Sequence, residues 1–155
     1  MKILLEGPDG SGKTTLAKIL CETFKMEYLH FKHESDDDYY DDLLNSTDEY
    51  LRNSTHNILV DRFIPSEIVY GNVLRKSSRV DVGSPFCNKM VDIFDHIIFC
   101  LPGDKDAYLK SFRNCVNNRE EMVTDVKLTC SLSFALVVLP DSTKISLFST
   151  NCPNP

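Results

Sequence analysis

Between an apolar run, Ile3-Leu4-Leu5, and a helical repeat with apolar positions at Leu16, Ile19, Leu20 and Phe24 stands the stretch Gly7-Pro8-Asp9-Gly10-Ser11-Gly12-Lys13-Thr14. The run before it reads as a buried strand and the repeat after it as a helix. Three glycines let the backbone curl tightly, so that successive N–H groups point inward at an anion. A helix that opens directly after such a turn adds unpaired N–H donors and a partial positive charge. In that arrangement Lys13 reaches the outer phosphates of a polyphosphate, and the Thr14 hydroxyl ligates magnesium. The plain alternative is a glycine-rich turn that binds nothing. The agreement of strand, loop, Lys-Thr pair and helix favours phosphate binding. Gly7, Asp9, Gly10, Ser11, Gly12, Lys13, Thr14 and Thr15 are thus the candidate nucleotide-binding residues, with Mg2+ as an expected cofactor.

The remaining bounds are consistent with a small nucleotide-binding domain. A chain of 155 residues has room for one domain with its own core, here 1–155. A formal net charge of −6 argues against broad attachment to nucleic acid or anionic lipid, which reward a basic surface. No apolar run approaches the length of a membrane span, and the N-terminus enters a strand directly, so neither an anchor nor a signal peptide is expected. Six cysteines, at 21, 87, 100, 115, 130 and 152, form no CxxC pair. They read as free thiols in a reducing cytoplasm, with Cys21 and Cys100 as small buried thiols in a helix and a strand.

Along the chain, strand and helix alternate, which predicts an α/β domain with a mainly parallel sheet. The expected strands are about Lys2 to Glu6, Glu27 to Phe31, Asn57 to Asp61 and Asp95 to Leu101, the last stopped by Pro102-Gly103. Helices are expected from the loop to about Lys25 and from Lys105 to about Asn114. The acidic run Glu34 to Asp42 reads as a solvated loop leading into a helix, with a metal site as the sharper alternative. The segment 128–155 is atypical: from Leu128 onward only Asp141 and Lys144 are charged. Ser133 to Leu139 is expected to supply a fifth strand, while Ser142 to Pro155 shows no convincing period. It reads as a tail, a truncation or an altered sequence.

A second site is expected at Asp61-Arg62. An apolar strand, Ile58-Leu59-Val60, ending in an aspartate places a carboxylate at the sheet edge, near magnesium and its waters. Arg62 then presents a planar fork suited to a phosphate. A surface Asp-Arg pair after a strand is the ordinary alternative.

The stretch Leu5-Glu6-Gly7-Pro8-Asp9-Gly10-Ser11-Gly12-Lys13-Thr14-Thr15 resembles the phosphate loop of thymidylate kinases, including the carboxylate at Asp9. Asp61-Arg62-Phe63, followed by Ser66, Tyr70 and Arg75, keeps the spacing of that family's Asp-Arg motif. The resemblance covers roughly residues 1 to 125 and implies a P-loop NTPase fold with helices on both faces of the sheet. It implies transfer of the γ-phosphate of ATP to a deoxynucleoside monophosphate, dTMP first. It assigns Lys13 to the donor and Arg62 to the acceptor phosphate, with Phe63 and Tyr70 at the nucleoside and Arg75 as a supporting acceptor contact. Asp9 would meet the acceptor sugar hydroxyl or phosphate, and Thr14 and Asp61 would serve the metal. Arg113 and Arg119 occupy the expected lid region and complete the catalytic set with Lys13 and Asp61. Such a reaction needs separate cationic clamps for its two anions rather than covalent help.

The chain also departs from that family. It is shorter than typical members, a compactness shared with small kinases of this type in viral genomes. His30-Phe31-Lys32-His33-Glu34 stands where an Arg-Glu-Pro segment usually follows the second strand, and Gly71 stands where bacterial members often have glutamine. Lys32 is either a replacement acceptor contact or a solvated lysine. For His30 and His33 as ligands or bases, no partner cluster is visible. A deoxynucleoside kinase, with Glu6 as its base, is the nearest rival, and a nucleotide-binding regulator with little turnover the next. The nucleoside monophosphate is the expected partner; a homodimer is admitted, nucleic acid and membrane are not.

Overall fold

A computed structural model of the chain describes residues 1–31, 37–81, 87–88, 92–102 and 145–150. Within them strand and helix alternate as the pattern predicts. Strand β1 spans Lys2–Glu6, helix α1 Lys13–Phe24, β2 Glu27–His30, α2 Asp37–Asn53 and β3 Ile58–Asp61. Helix α3, Ile64–Tyr70, runs into a π-helical turn at Gly71–Arg75, and strands β4, His96–Pro102, and β5, Ile145–Thr150, follow. The five strands form one sheet in the order β2-β3-β1-β4-β5, and every pairing is parallel. This is an α/β architecture with β1, the strand that feeds the phosphate loop, at its centre.

Period-two alternation divides the core between the faces of the sheet. Leu4, Ile58, Val60, Ile97 and Phe99 join Leu44 and Leu51 of α2, Ile64 of α3 and the rings of Phe63 and Phe94. Ile3, Leu5 and Leu59 pack with Ala17 and Met26, and with the half-buried Leu16, Leu20 and Cys21 of α1. Helices therefore cover both faces. Helix α1 ends where Lys25 turns left-handed, at φ 50°, and its N–H bonds back to the Cys21 carbonyl.

Several expectations are corrected. Strand β4 runs through Pro102, which pairs with Thr150, because a proline in the last ladder position loses little. A strand, β5, lies inside the segment where no period was visible, paired along β4 from Ile145 to Thr150. Much of the acidic run is helix, not loop, since α2 starts at Asp37. Carboxylates in a first helical turn interact favourably with the N-terminal end of the helix dipole. The expected helix at Lys105 to Asn114 and the expected strand at Ser133 to Leu139 lie outside the described residues.

Candidate active site

The C-terminal ends of β1, β2 and β3 meet at one edge of the sheet, where ligands of open parallel sheets bind. Strand register brings Leu5 and His30 to either side of Asp61. The loop that leaves β1 turns through Gly7, Gly10 and Gly12, with φ of 142°, 77° and 84°. Only glycine takes such angles without strain, and at Gly7 a side chain would also collide with the Cys100 carbonyl of β4. Gly12 forms the N-cap of α1 without a side-chain cap, and the first turn of α1 carries no acidic residue. The helix N-terminus is thus open to an anion. Thr14 and Thr15 are exposed beside it.

Lys13 is folded back over its own loop. Its Nζ donates to the carbonyls of Gly7, at 2.6 Å, and Pro8, at 2.8 Å, and the side chain is buried. Burial, with the nearby charge of Arg62, lowers its pKa to about 8. A bound polyphosphate would favour the ammonium form again.

Arg62 points at the glycine-rich turn. Its guanidinium pairs with Asp9 and donates to the Tyr70 hydroxyl at 2.6 Å, with its central carbon 5.0 Å from the Tyr70 ring centroid. Its backbone takes a φ of 69°, uncommon outside glycine, and is fixed there by a 2.9 Å bond from Arg62 N–H to the Leu5 carbonyl. The residue is held in a strained turn at the sheet edge, a pattern typical of functional positions.

Beside Arg62 opens a small cleft lined by His30, Phe31, Arg62, Phe63, Ser66, Glu67 and Tyr70. Phe63 forms its floor: the ring is fully buried and edge-packed against Phe31 and Phe94. Arg75 is not among the lining residues; its guanidinium pairs with the buried carboxylate of Glu67, which also accepts from Arg79 N–H at 3.2 Å. Lys32, Arg113 and Arg119 lie outside the described residues.

Two further buried carboxylates, Glu6 and Asp61, flank the site and differ in kind. Glu6 is fully buried and accepts from Phe63 N–H at 2.8 Å, Ser66 N–H at 3.4 Å and Ser66 Oγ–H at 2.5 Å. It ties β1 to the start of α3. Burial raises its pKa, against the opposing pull of those hydrogen bonds. Asp61 uses one oxygen, Oδ2, to accept from the Tyr28 hydroxyl at 2.7 Å, and His30 Nδ1 lies 3.5 Å from the same oxygen. Burial works to raise its pKa, but His30, Tyr28 and the charge of Lys13 outweigh it and hold Asp61 below the ordinary carboxylate value. Its other oxygen, Oδ1, is buried without a hydrogen-bond partner among the described residues.

That orphaned oxygen fits a hard cation. No three His, Cys, Asp or Glu side chains among the described residues are grouped to hold a metal by themselves. Magnesium in phosphate sites needs no such cage, since waters and phosphate oxygens supply most of its ligands. Asp61 Oδ1, with the exposed Thr14 hydroxyl, is a suitable protein contribution.

The sequence showed no partner for His30, yet it shares Asp61 with Tyr28 and stacks on the Tyr28 ring at 6.5 Å and 13°. The signal that could have revealed this was positional. Tyr28 and His30 alternate at the end of a strand, and parallel pairing of β2 with β3 brings that end to Asp61.

The sequence model of the ATPase family associated with various cellular activities (AAA) matches residues 3–67, the span from β1 to α3. No curated protein matches the chain. Among solved structures the chain is similar to the YorR protein of Bacillus subtilis, solved with phosphorylated GDP, at 18% identity and TM-score 0.65, over 97% of this chain and 85% of that one. It is also similar to thymidylate kinase from Candida albicans, at 15% identity and TM-score 0.60, over 96% and 82%. The deoxyadenosine kinase of M. mycoides with bound dATP aligns at 16% identity and TM-score 0.50, over 97% and 90%. No helix among the described residues is long and apolar enough to cross a membrane. With its central β1, phosphate loop and all-parallel sheet, the chain has the P-loop NTPase fold.

Proposed function

We propose that the chain is a kinase that moves the γ-phosphate of ATP to a deoxynucleoside monophosphate. The observation that carries this reading is Arg62: its guanidinium lines a cleft on one side and touches Asp9 of the phosphate loop on the other. A monophosphate in the cleft would trade Asp9 for its own oxygens on that guanidinium. Polyphosphate would draw Lys13 from the Gly7 and Pro8 carbonyls onto its own oxygens, with loop amides and the α1 N-terminus completing the cradle. Magnesium, held through Asp61 and Thr14, would neutralise charge on the transferring phosphoryl group. The two anions then face each other across one edge of the sheet, each with its own cationic clamp. An ionised acceptor phosphate oxygen has no proton to remove, so the site needs no base.

That last point separates this reading from a deoxynucleoside kinase, to which the likeness to the M. mycoides enzyme points. A sugar hydroxyl acceptor needs a base. Glu6, the candidate, is sealed from solvent and already accepts three hydrogen bonds. The loop and Asp-Arg motifs, with the likeness to the C. albicans enzyme, put dTMP first among acceptors. The test is ATP consumption measured side by side with thymidine, dTMP and the other deoxynucleoside monophosphates. Transfer to a monophosphate, dTMP foremost, is expected. Phosphorylation of thymidine but not dTMP would overturn the reading, and tight ATP binding without any transfer would make the chain a regulator.

A further inference from the structure

We propose that Glu6 is a positioning residue of the acceptor site: a cap for α3, supplied from a neighbouring strand, that fixes the Arg62 turn against the phosphate loop. The inference rests on the monophosphate kinase reading and deepens it with a role that neither the motifs nor the comparisons assign. A helix N-terminus leaves backbone donors unpaired, and an N-cap side chain normally accepts from the N–H two or three residues on. Helix α3 begins after Phe63, whose side chain has no acceptor and makes no such bond. Glu6 does so from β1. Its Oε1 accepts from the N–H of Phe63, at 2.8 Å, and of Ser66, at 3.4 Å, and its Oε2 takes the Ser66 hydroxyl at 2.5 Å. Pro65, in the same turn, has no N–H to satisfy.

The backbone so held adjoins Arg62. A left-handed φ of 69° costs a residue with a side chain a free energy of the order of one hydrogen bond. The bond from Arg62 N–H to the Leu5 carbonyl offsets that cost on one side of the turn. On the other side stand the bonds from Phe63 and Ser66 to Glu6. Without them two buried N–H groups lose their acceptor, and the turn at 62–63 relaxes to find another. The Phe63 ring would stay, since it is fully buried and packed edge-on against Phe31 and Phe94. What moves is the root of the guanidinium. Glu6 also stands directly before Gly7, whose carbonyl holds Lys13 Nζ at 2.6 Å. One residue at the end of β1 thus registers the acceptor arginine against the donor loop. The task requires an acceptor in the right place, not a group that takes a proton from substrate.

Three variants separate the cap from a base. Glu6→Gln keeps an acceptor for both N–H groups, Glu6→Met fills the space without one, and Ser66→Ala removes only the bond to Oε2. The measurements, on protein shown to be folded by circular dichroism, are kcat, KM for the monophosphate that the wild type uses and KM for ATP. Calorimetry adds Kd for the same monophosphate and for its unphosphorylated nucleoside. Glu6→Gln should stay within about twofold of the wild type in every constant. Glu6→Met should raise KM and Kd for the monophosphate about tenfold, with KM for ATP and nucleoside binding unchanged. Ser66→Ala should show a smaller rise of the same kind, and it carries the test if Glu6→Met does not fold. A folded Glu6→Gln that binds monophosphate normally but transfers at under about a hundredth of the wild-type rate would overturn the proposal and make Glu6 a base. So would wild-type monophosphate constants in the folded loss variant, or an equal rise in both KM values, either of which leaves the cap a matter of stability. A wild type that binds a monophosphate but transfers nothing to it sinks the kinase reading alone, and the Kd ratios then decide the role of Glu6. A wild type that binds no monophosphate overturns both.

Discussion

At the scale of single residues, the site is held in tension by Arg62 and Glu6. Arg62 has a φ of 69°, where a Cβ costs about 1–2 kcal/mol relative to glycine. Arg62→Ala should therefore be less stable than Arg62→Gly by about 1 kcal/mol, the reverse of the usual order, as chemical denaturation would reveal. Both should weaken acceptor use while sparing ATP affinity. Loss of ATP affinity with the acceptor unaffected would break the division of the two clamps. Glu6 makes a second, pH-linked prediction. Its folded pKa is raised above 4.5, so its contribution to stability is full below that value and falls as pH climbs through the folded pKa. In Glu6→Gln the amide carbonyl can still accept from Phe63 and Ser66 N–H, and the amide nitrogen can donate to Ser66 Oγ. The variant should gain stability relative to the wild type as pH rises from 4.5, in urea melts at several pH values. A constant difference would mean that Glu6 is not desolvated as drawn.

At the scale of elements, the phosphate loop is seated against β4 as well as between β1 and α1. Gly7→Ala would drive a methyl group into the Cys100 carbonyl at a φ of 142°. A loss of at least about 2 kcal/mol in thermal unfolding is expected, with ATP binding lost in parallel. Here the sequence was a good guide where information is local. Ile3-Leu4-Leu5, the glycine loop and the repeat through Leu20 specify β1, the turn and α1 nearly to the residue, since each is a neighbour of the next. It was a poor guide where pairing is remote. The residues of β5 carry no period of their own, and their identity as a strand comes from register with β4, more than forty positions earlier. His30 was obscure for the same reason: its partner Asp61 is brought by the β2–β3 ladder, not by spacing. The arginines expected at the lid are not tested, because residues 103–144 are not described.

At the scale of the whole molecule, the proposed donor and acceptor sites share one sheet edge, so a ligand at that edge should stabilise the entire fold. Saturating ATP with magnesium, at about a hundred times its dissociation constant, should add about 2.7 kcal/mol and raise the melting temperature. Lys13→Ala should abolish that rise together with transfer. A variant that keeps the full rise but transfers nothing would show that Lys13 acts in chemistry without contributing to binding.

The tripeptide Gly7-Pro8-Asp9 occupies both cations at once, Lys13 by its carbonyls and Arg62 by its carboxylate. In effect the resting protein carries counterfeit phosphates. On the proposed reading, a stray inorganic phosphate would have to evict these resident oxygens with no sugar or base to hold on by, whereas a nucleotide would gain purchase elsewhere in the cleft. The pocket would thereby be shielded from small anions, yielding only to a visitor with more than one handhold.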